Sequence, residues 1–301
     1  MALPSLELAL SSKWPIVVAA RPWAKSLLAA YPLAGFIPVQ GQLKNDRKQI
    51  AQYRKTHNHA DVKGLILPDS LSSALIFRLA GIASAGYRDD GRSLLLKWPI
   101  QKPSSSLHAV ESWFFLTSQA FSEWKIKPAS NKPKNSLCLT ICPEYENQAY
   151  DALKNASLHA GKFVLIAPTA TGLHKGKNKV WPHFDALTRK LQADGFEVIM
   201  CPPAAERQQA LQNAPTAHCL PPLSLPAFAK LAKLAAVVVC NDSGVSHLAA
   251  AVNAQQLTLF GVTDRSRTAP WSENAHCLGS AAAWPTLNDV YPLLMSIVTQ
   301  T

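Results

Sequence analysis

Short runs of β-branched and aliphatic residues alternate along this chain with longer stretches in which apolar residues recur every three or four positions. The short runs are Ile16–Ala19, Phe36–Val39 and Gly64–Leu67 in the first half. In the second half they are Phe163–Ala167, Gly195–Cys201, Val237–Val239 and Leu257–Phe260. Apart from Glu197 and Thr258 these runs are apolar throughout rather than on alternate positions, as expected of strands covered on both faces. Helical spacing marks Met1–Leu10, Trp23–Ala30, Asn45–His59, Phe184–Ala193, Ala227–Ala235, Leu248–Val252 and Pro285–Val298. Strands alternating with helices predict an α/β fold with parallel sheets. A stretch rich in Pro, Lys and Asn, Pro128–Ser136, reads as a connector. We therefore expect two Rossmann-like domains facing a cleft, 1–155 and 156–301, with the last helix (285–299) crossing back to the first.

Composition narrows the class. With 301 residues, 48% of them apolar and 16% charged, the chain has an ordinary globular balance. Its six Cys are scattered without a Cys-x-x-Cys pair, which indicates neither a zinc site nor a disulfide framework. Apolar runs end well short of a membrane span, and Glu7 interrupts what would be the core of a signal peptide. The net charge of +11 is uneven: residues 1–160 carry 19 Lys and Arg against 11 Asp and Glu, and residues 161–301 carry 11 against 8. A basic first half attracts polyanions. Basic residues interleaved with exposed aromatics are missing, which argues against nucleic acid and for an anionic lipid.

Candidate chemistry concentrates in Val237-Val-Val-Cys-Asn-Asp-Ser-Gly-Val-Ser-His247, a strand, a polar turn and a helix start. Asp242 or Ser243 can cap the helix, and Gly244 lets a ligand approach the first free N–H groups, a geometry suited to phosphate. His247, one turn on, can donate to a phosphate or sugar oxygen. The same residues also fit a simple helix cap and a core histidine. A second loop, Thr169-Ala-Thr-Gly-Leu-His-Lys-Gly-Lys-Asn-Lys179, offers Lys175, Lys177 and Lys179 as a cationic clamp, with Thr169 and Thr171 as donors, or else a solvated loop. No Asp-x-Asp pair is present to hold a cation on a diphosphate, so no metal is expected.

These motifs carry a resemblance. Asn241-Asp-Ser-Gly-Val-Ser-His-Leu-Ala-Ala-Ala-Val252, Leu259-Phe-Gly-Val-Thr263, Pro270-Trp271 and Lys179-Val-Trp-Pro182 are similar to motifs of the lipopolysaccharide heptosyltransferases, glycosyltransferase family 9, and most similar to its heptosyltransferase II branch. The resemblance implies a GT-B-type fold and a donor site for ADP-heptose. There Asp242, Ser243, Gly244 and His247 would hold diphosphate and sugar, Lys179 the phosphate, Glu206 the ribose, and Leu223 the adenine. Pro68-Asp-Ser-Leu-Ser-Ser-Ala74, the basic loop Arg88–Arg92 and His108-Ala-Val-Glu111 also match. They imply Ser70, Ser73, Arg88 and Arg92 as acceptor contacts, the acceptor being the anionic lipid A/Kdo-type inner core of lipopolysaccharide. The implied location is the cytoplasmic face of a Gram-negative inner membrane, with peripheral membrane contact.

One departure affects mechanism. Family members begin with a strand and a Gly-Asp turn whose Asp is the expected general base, and neither is found ahead of Leu3-Pro4. Asp69 is a weak substitute. The expected loss, about four buried side chains at roughly 1.5–3 kcal/mol each, is comparable to a domain's net stability, so Met1 is expected not to be the natural beginning of the chain. The leading expectation is an inverting, metal-independent transfer of heptose. Alternatives are another nucleotide sugar on the same fold, or a non-catalytic binding relative.

Overall fold

The structure, a computed structural model, describes residues 1–57, 61–174 and 176–299. The chain divides into two compact units, Met1–Lys134 and Asn135–Thr301. The first contains α1 (Leu3–Ser11), β1 (Val17–Ala20), α2 (Ala24–Leu27), β2 (Gly35–Pro38), α3 (Leu43–Thr56), β3 (Lys63–Leu65), α4 (Leu71–Leu79), β4 (Ala83–Tyr87), β5 (Trp98–Ile100) and α5 (Ala109–Glu123). The second contains α6 (Pro143–Asn155), β6 (Phe163–Ala167), β7 (Leu173–His174), β8 (Lys177–Asn178), α7 (Phe184–Ala193), β9 (Glu197–Met200), α8 (Arg207–Asn213) and β10 (His218–Cys219). It continues with α9 (Leu225–Leu234), β11 (Val237–Asn241), α10 (Gly244–Ala251), β12 (Gln256–Phe260), α11 (Arg265–Thr268), β13 (Ala275–Gly279) and α12 (Leu287–Thr299). No helix among the described residues is long and apolar enough to cross a membrane.

The second unit is a parallel six-stranded sheet in the order β10-β9-β6-β11-β12-β13, with β7 and β8 forming a separate two-stranded antiparallel ribbon. In chain order of the six strands this is 3-2-1-4-5-6, the doubly wound dinucleotide-binding arrangement. Its strands are apolar on both faces because both faces are covered. Val164, Ile166, Val237, Val239, Leu257 and Leu259 pack under Phe184, Leu187 and Leu191 of α7 and Val290, Leu294 and Ile297 of α12. The alternate residues Phe163, Leu165, Val238 and Cys240 pack under Ala149 and Leu153 of α6 and Phe228, Leu231 and Ala232 of α9. Val237, Val238, Val239 and Cys240 are all 0% exposed, and so is Asn241, the polar residue that ends the strand.

Two features differ from the sequence-based boundaries. The division falls inside the Pro-rich connector, and α6, assigned from sequence to the first domain, lies in the second unit. Its apolar face completes the core there, and Glu146 Oε2 pairs with Lys230 Nζ of α9 at 3.1 Å. The buried face of α12, expected to cross to the first domain, is occupied by the second unit's own core.

In the first unit the described strands form two parallel sheets, β1-β2 and β3-β4-β5. Ile37, Ile50, Ile76 and Ile82 form one core cluster, and Ala85, Tyr87, Ile100 and Leu116 another. Helix α5 begins with a capping box, in which Val110 N–H donates to His108 Nδ1 at 3.2 Å and His108 N–H donates to Glu111 Oε2 at 3.1 Å. Glu111 therefore braces a helix start.

Candidate functional site

The sheet order of the second unit decides where chemistry is possible. At the switch between β6 and β11 the flanking connections leave on opposite sides, and a crevice opens at the carboxyl ends of the strands. Thr169 follows β6 there, and the turn Asp242-Ser243-Gly244 follows β11. Glu206, in a short 3₁₀ turn after β9, reaches the same edge, where the Thr169 hydroxyl donates to its Oε2 at 2.5 Å. Two residues singled out separately in the sequence are thus one hydrogen-bonded pair.

Helix α10 starts as its turn chemistry requires. Ser243, extended at φ −154°, accepts the Val245 N–H at 3.3 Å through its hydroxyl, so Ser243 rather than Asp242 is the cap. Asp242 donates its N–H to the Leu259 carbonyl at 3.2 Å. Its carboxylate is half-buried and accepts no hydrogen bond among the described residues. Gly244 is exposed, and a Cβ built on it meets nothing within 4 Å. His247 sits half-buried one turn further along α10. Cys240, fully buried beneath the turn, has its thiol pushed up to about 12 by burial and is inert.

Asn241 organises the edge, a role its sequence position did not reveal. Its side chain is fully buried; the oxygen accepts the Trp181 N–H at 2.8 Å, and the amide donates to the carbonyls of Ala167 and Thr169, each at 3.3 Å. Trp181, 1% exposed, donates its indole N–H to the Pro285 carbonyl at 2.8 Å. One amide therefore joins the end of β6, the Lys179-Val-Trp-Pro182 turn and the end of β11. Lys179, half-exposed, precedes that anchored turn and forms no ion pair among the described residues. Lys177 is exposed on β8, and Lys175 lies outside the described residues. Leu223 is half-buried on the loop before α9, with the cluster of Cys201, Leu220 and Phe228 behind it. No group of three or more His, Cys, Asp or Glu able to hold a metal ion occurs among the described residues.

A helix start open to solvent, a serine cap, a carboxylate without a hydrogen-bond donor among the described residues and a fixed lysine-bearing turn at one switch point agree with a family-wide comparison. Residues 54–293 match the model of glycosyltransferase family 9 (heptosyltransferase). The chain belongs to glycosyltransferase family 9. It is 28% identical over 223 residues to lipooligosaccharide heptosyltransferase 2 of Haemophilus influenzae, covering 70% of this chain but only 63% of that relative. With lipopolysaccharide heptosyltransferase 2 of Escherichia coli it shares 25% identity over 303 residues, 91% of this chain and 82% of that one. In fold it is similar to the E. coli heptosyltransferase WaaC solved with ADP, with a TM-score of 0.73, 22% identity, and coverage of 98% of this chain and 95% of that chain. The two-domain GT-B-type α/β fold is thereby established.

The family 9 residues of the first unit are arranged differently from the sequence expectation. Arg92 is 2% exposed and points inward, donating from Nε to the Asp89 carbonyl at 2.9 Å and from Nη1 to Asp69 Oδ1 at 3.1 Å. Lys102, which the sequence reading did not single out, lies 2.7 Å from Asp69 Oδ2 and 3.0 Å from Asp89 Oδ2. A guanidinium is buried only when carboxylates compensate it, so Arg92 holds the loop and is not presented as an acceptor contact. Asp69 does not fit the base role either. Burial alone would push its carboxyl up, but the hydrogen bonds and charges of Lys102 and Arg92 outweigh it and hold the group below its ordinary value. Ser70 uses its hydroxyl to cap α4, accepting the Ser73 N–H at 3.3 Å, and lies 2.6 Å from the Ser72 hydroxyl. Ser73 is half-buried in the first turn of α4. Arg88 alone among the predicted acceptor contacts is exposed, and it makes no ion pair among the described residues.

Proposed function

We propose that this family 9 chain transfers heptose from ADP-heptose to the lipopolysaccharide inner core by an inverting, metal-independent displacement. The observation that carries the donor side is the convergence of Thr169, Glu206 and the Asp242–Gly244 helix start at one switch point. The first free N–H groups of α10 and the ammonium of Lys179 would take the diphosphate, Glu206 a ribose hydroxyl and Leu223 the adenine. An acceptor hydroxyl attacks the anomeric carbon, its proton passes to a base, and the bond to the diphosphate breaks to release ADP. Arg88 draws in the anionic acceptor. The reaction takes place at the cytoplasmic face of the inner membrane, without nucleic acid.

A second reading, a nucleotide-sugar binder without turnover, is favoured by one observation: both carboxylate oxygens of Asp69 are engaged by Arg92 and Lys102. Calorimetric titration of ADP, UDP and GDP, then ADP-heptose, into the chain and into Asp242→Ala tests the donor site. Selective ADP binding that weakens in the variant supports it; equal failure of all three nucleotides with folded protein removes it. Release of ADP in the presence of a heptose-deficient lipopolysaccharide acceptor separates the enzyme from the binder.

A further inference from the structure

The boundary between the units sharpens the charge asymmetry. Residues 1–134 carry 18 Lys and Arg against 8 Asp and Glu, and residues 135–301 carry 12 against 11. Nearly all of the +11 therefore belongs to the first unit, which also bears Leu94, at 88% the most exposed large apolar side chain among the described residues; the next, Trp23, is 58% exposed. Leu94 is not on a loose loop. It closes a 3₁₀ turn, Arg92–Leu94, that starts from Gly91 in the left-handed conformation (φ 74°) and is fastened by the buried Arg92 guanidinium to Asp69 and the Asp89 carbonyl. The turn holds a leucine outward against the hydrophobic effect.

Its surroundings are cationic. Leu94 lines a groove of about 310 Å³ with Arg78, Leu95 and Lys97, and the other lining residues, from Gly81 to Ala83 and Leu96, include no carboxylate. Arg54 donates to the carbonyl of Gly81 at the same groove. Arg78 and Lys97 are exposed and form no ion pair among the described residues. The nearest acidic residue in the turn's sequence, Asp90, lies 4.0 Å from Arg92 Nη2.

We infer that this groove is a membrane-docking surface, in which Leu94 enters the acyl boundary of an anionic bilayer while Arg54, Arg78 and Lys97 contact headgroup phosphates. Arg54 donates to a carbonyl and Lys97 lies 4.9 Å over the Trp98 ring, yet none of the three cations has a carboxylate partner among the described residues, and an aliphatic side chain flanked by such cations is the chemistry of an interfacial anchor, apolar depth plus electrostatic attraction. The inference rests on the lipid-linked acceptor proposed above, whose delivery from a membrane gives such a surface its use.

The test is co-sedimentation of the full chain with vesicles of phosphatidylethanolamine and phosphatidylglycerol, and with vesicles of phosphatidylcholine alone. Binding to the anionic vesicles that falls with salt is expected, with little on the neutral ones. Leu94→Ser should weaken partition about tenfold, the loss of a buried leucine side chain. The pair Arg78→Gln and Lys97→Gln should weaken it roughly thirtyfold at low salt. Leu94 is too exposed for its change to unfold the protein, and unaltered ADP affinity in each variant checks the fold. Absence of binding by the unchanged chain, or equal binding by Leu94→Ser, overturns the inference. So does a Leu94→Ser change in the oligomeric state of lipid-free protein with lipid binding intact, which would make the groove a contact between copies. Loss of ADP binding by the unchanged chain would strike the donor reading instead.

Discussion

Gly244→Ala separates a structural role from a binding role because the two have opposite signs. The residue opens α10, is exposed, has no positive φ, and a methyl group on it meets no atom of the protein within 4 Å. For folding alone, alanine is favoured, since it narrows the unfolded ensemble at a position whose backbone it tolerates, by about 0.5–1 kcal/mol. For a unit of this size that raises Tm by about 1–4 °C. A diphosphate on the first N–H groups of the helix would occupy the space the methyl enters. Displacing one charge-assisted hydrogen bond costs about 1.5–3 kcal/mol, or roughly 10–100-fold in Kd for ADP. Thermal unfolding and calorimetry on the same preparations read both effects. A higher Tm with unchanged ADP affinity would refute phosphate binding at this turn, and a lower Tm would refute the open space on which the reasoning depends.

Three further outcomes are expected. Asn241→Ala strands the buried Trp181 N–H and two carbonyls, and should cost roughly 2–4 kcal/mol in urea unfolding; a change below about 0.5 kcal/mol would show that the amide does not hold the edge together. Glu206→Gln should weaken ADP binding while leaving inorganic pyrophosphate binding unaltered, and a parallel loss of both would move Glu206 from the ribose to the phosphates. The first unit should lose stability at both extremes of pH. Asp69 is held below 3.8, so the folded state binds fewer protons there, and its contribution, present above 3.8, disappears as pH falls through the depressed value. Lys102, although burial opposes it, is raised above 10.5 by Asp69 and Asp89, so its contribution is lost as pH rises through the raised value. Urea midpoints of Asp69→Asn that track the unchanged chain across both ranges would count against this network.

What the sequence disclosed follows from how local each signal is. Strand β6 and the Val237–Val239 run of β11 were legible because burial on both faces leaves an uninterrupted apolar run, and the α10 turn because its cap and glycine lie within a few residues of each other. Asn241 was visible as a polar residue ending an apolar strand, but its partners lie 60 to 74 residues away, beyond any periodic pattern. Helix α6 was assigned to the wrong side of the division for a related reason. A connector rich in Pro and Lys identifies a linker, while the side to which the next amphipathic helix belongs is settled by α9, which comes much later in the chain.

The charged residues of the first unit show why residue type alone could not assign the acceptor contacts. Arg88 and Arg92 stand four residues apart in one basic loop, and the sequence treats them alike. The side chain of Arg92 turns inward, where burial obliges it to find Asp69, while that of Arg88 turns outward from the end of β4 with its own N–H fixed to the Ile100 carbonyl at 3.0 Å. Asp69, in consequence, is consumed as a counter-ion. The same pairing that removes a candidate base and a candidate acceptor contact makes rigid the turn on which Leu94 is displayed. In the second unit the reverse holds: Asn241 provides the internal ties, leaving the Asp242 carboxylate and the Lys179 ammonium without ion pairs among the described residues. An unpaired ammonium beside an open helix start is where an anionic ligand gains most, because no existing contact has to be broken to admit it, while the Asp242 carboxylate is left to accept from a donor such as a sugar hydroxyl.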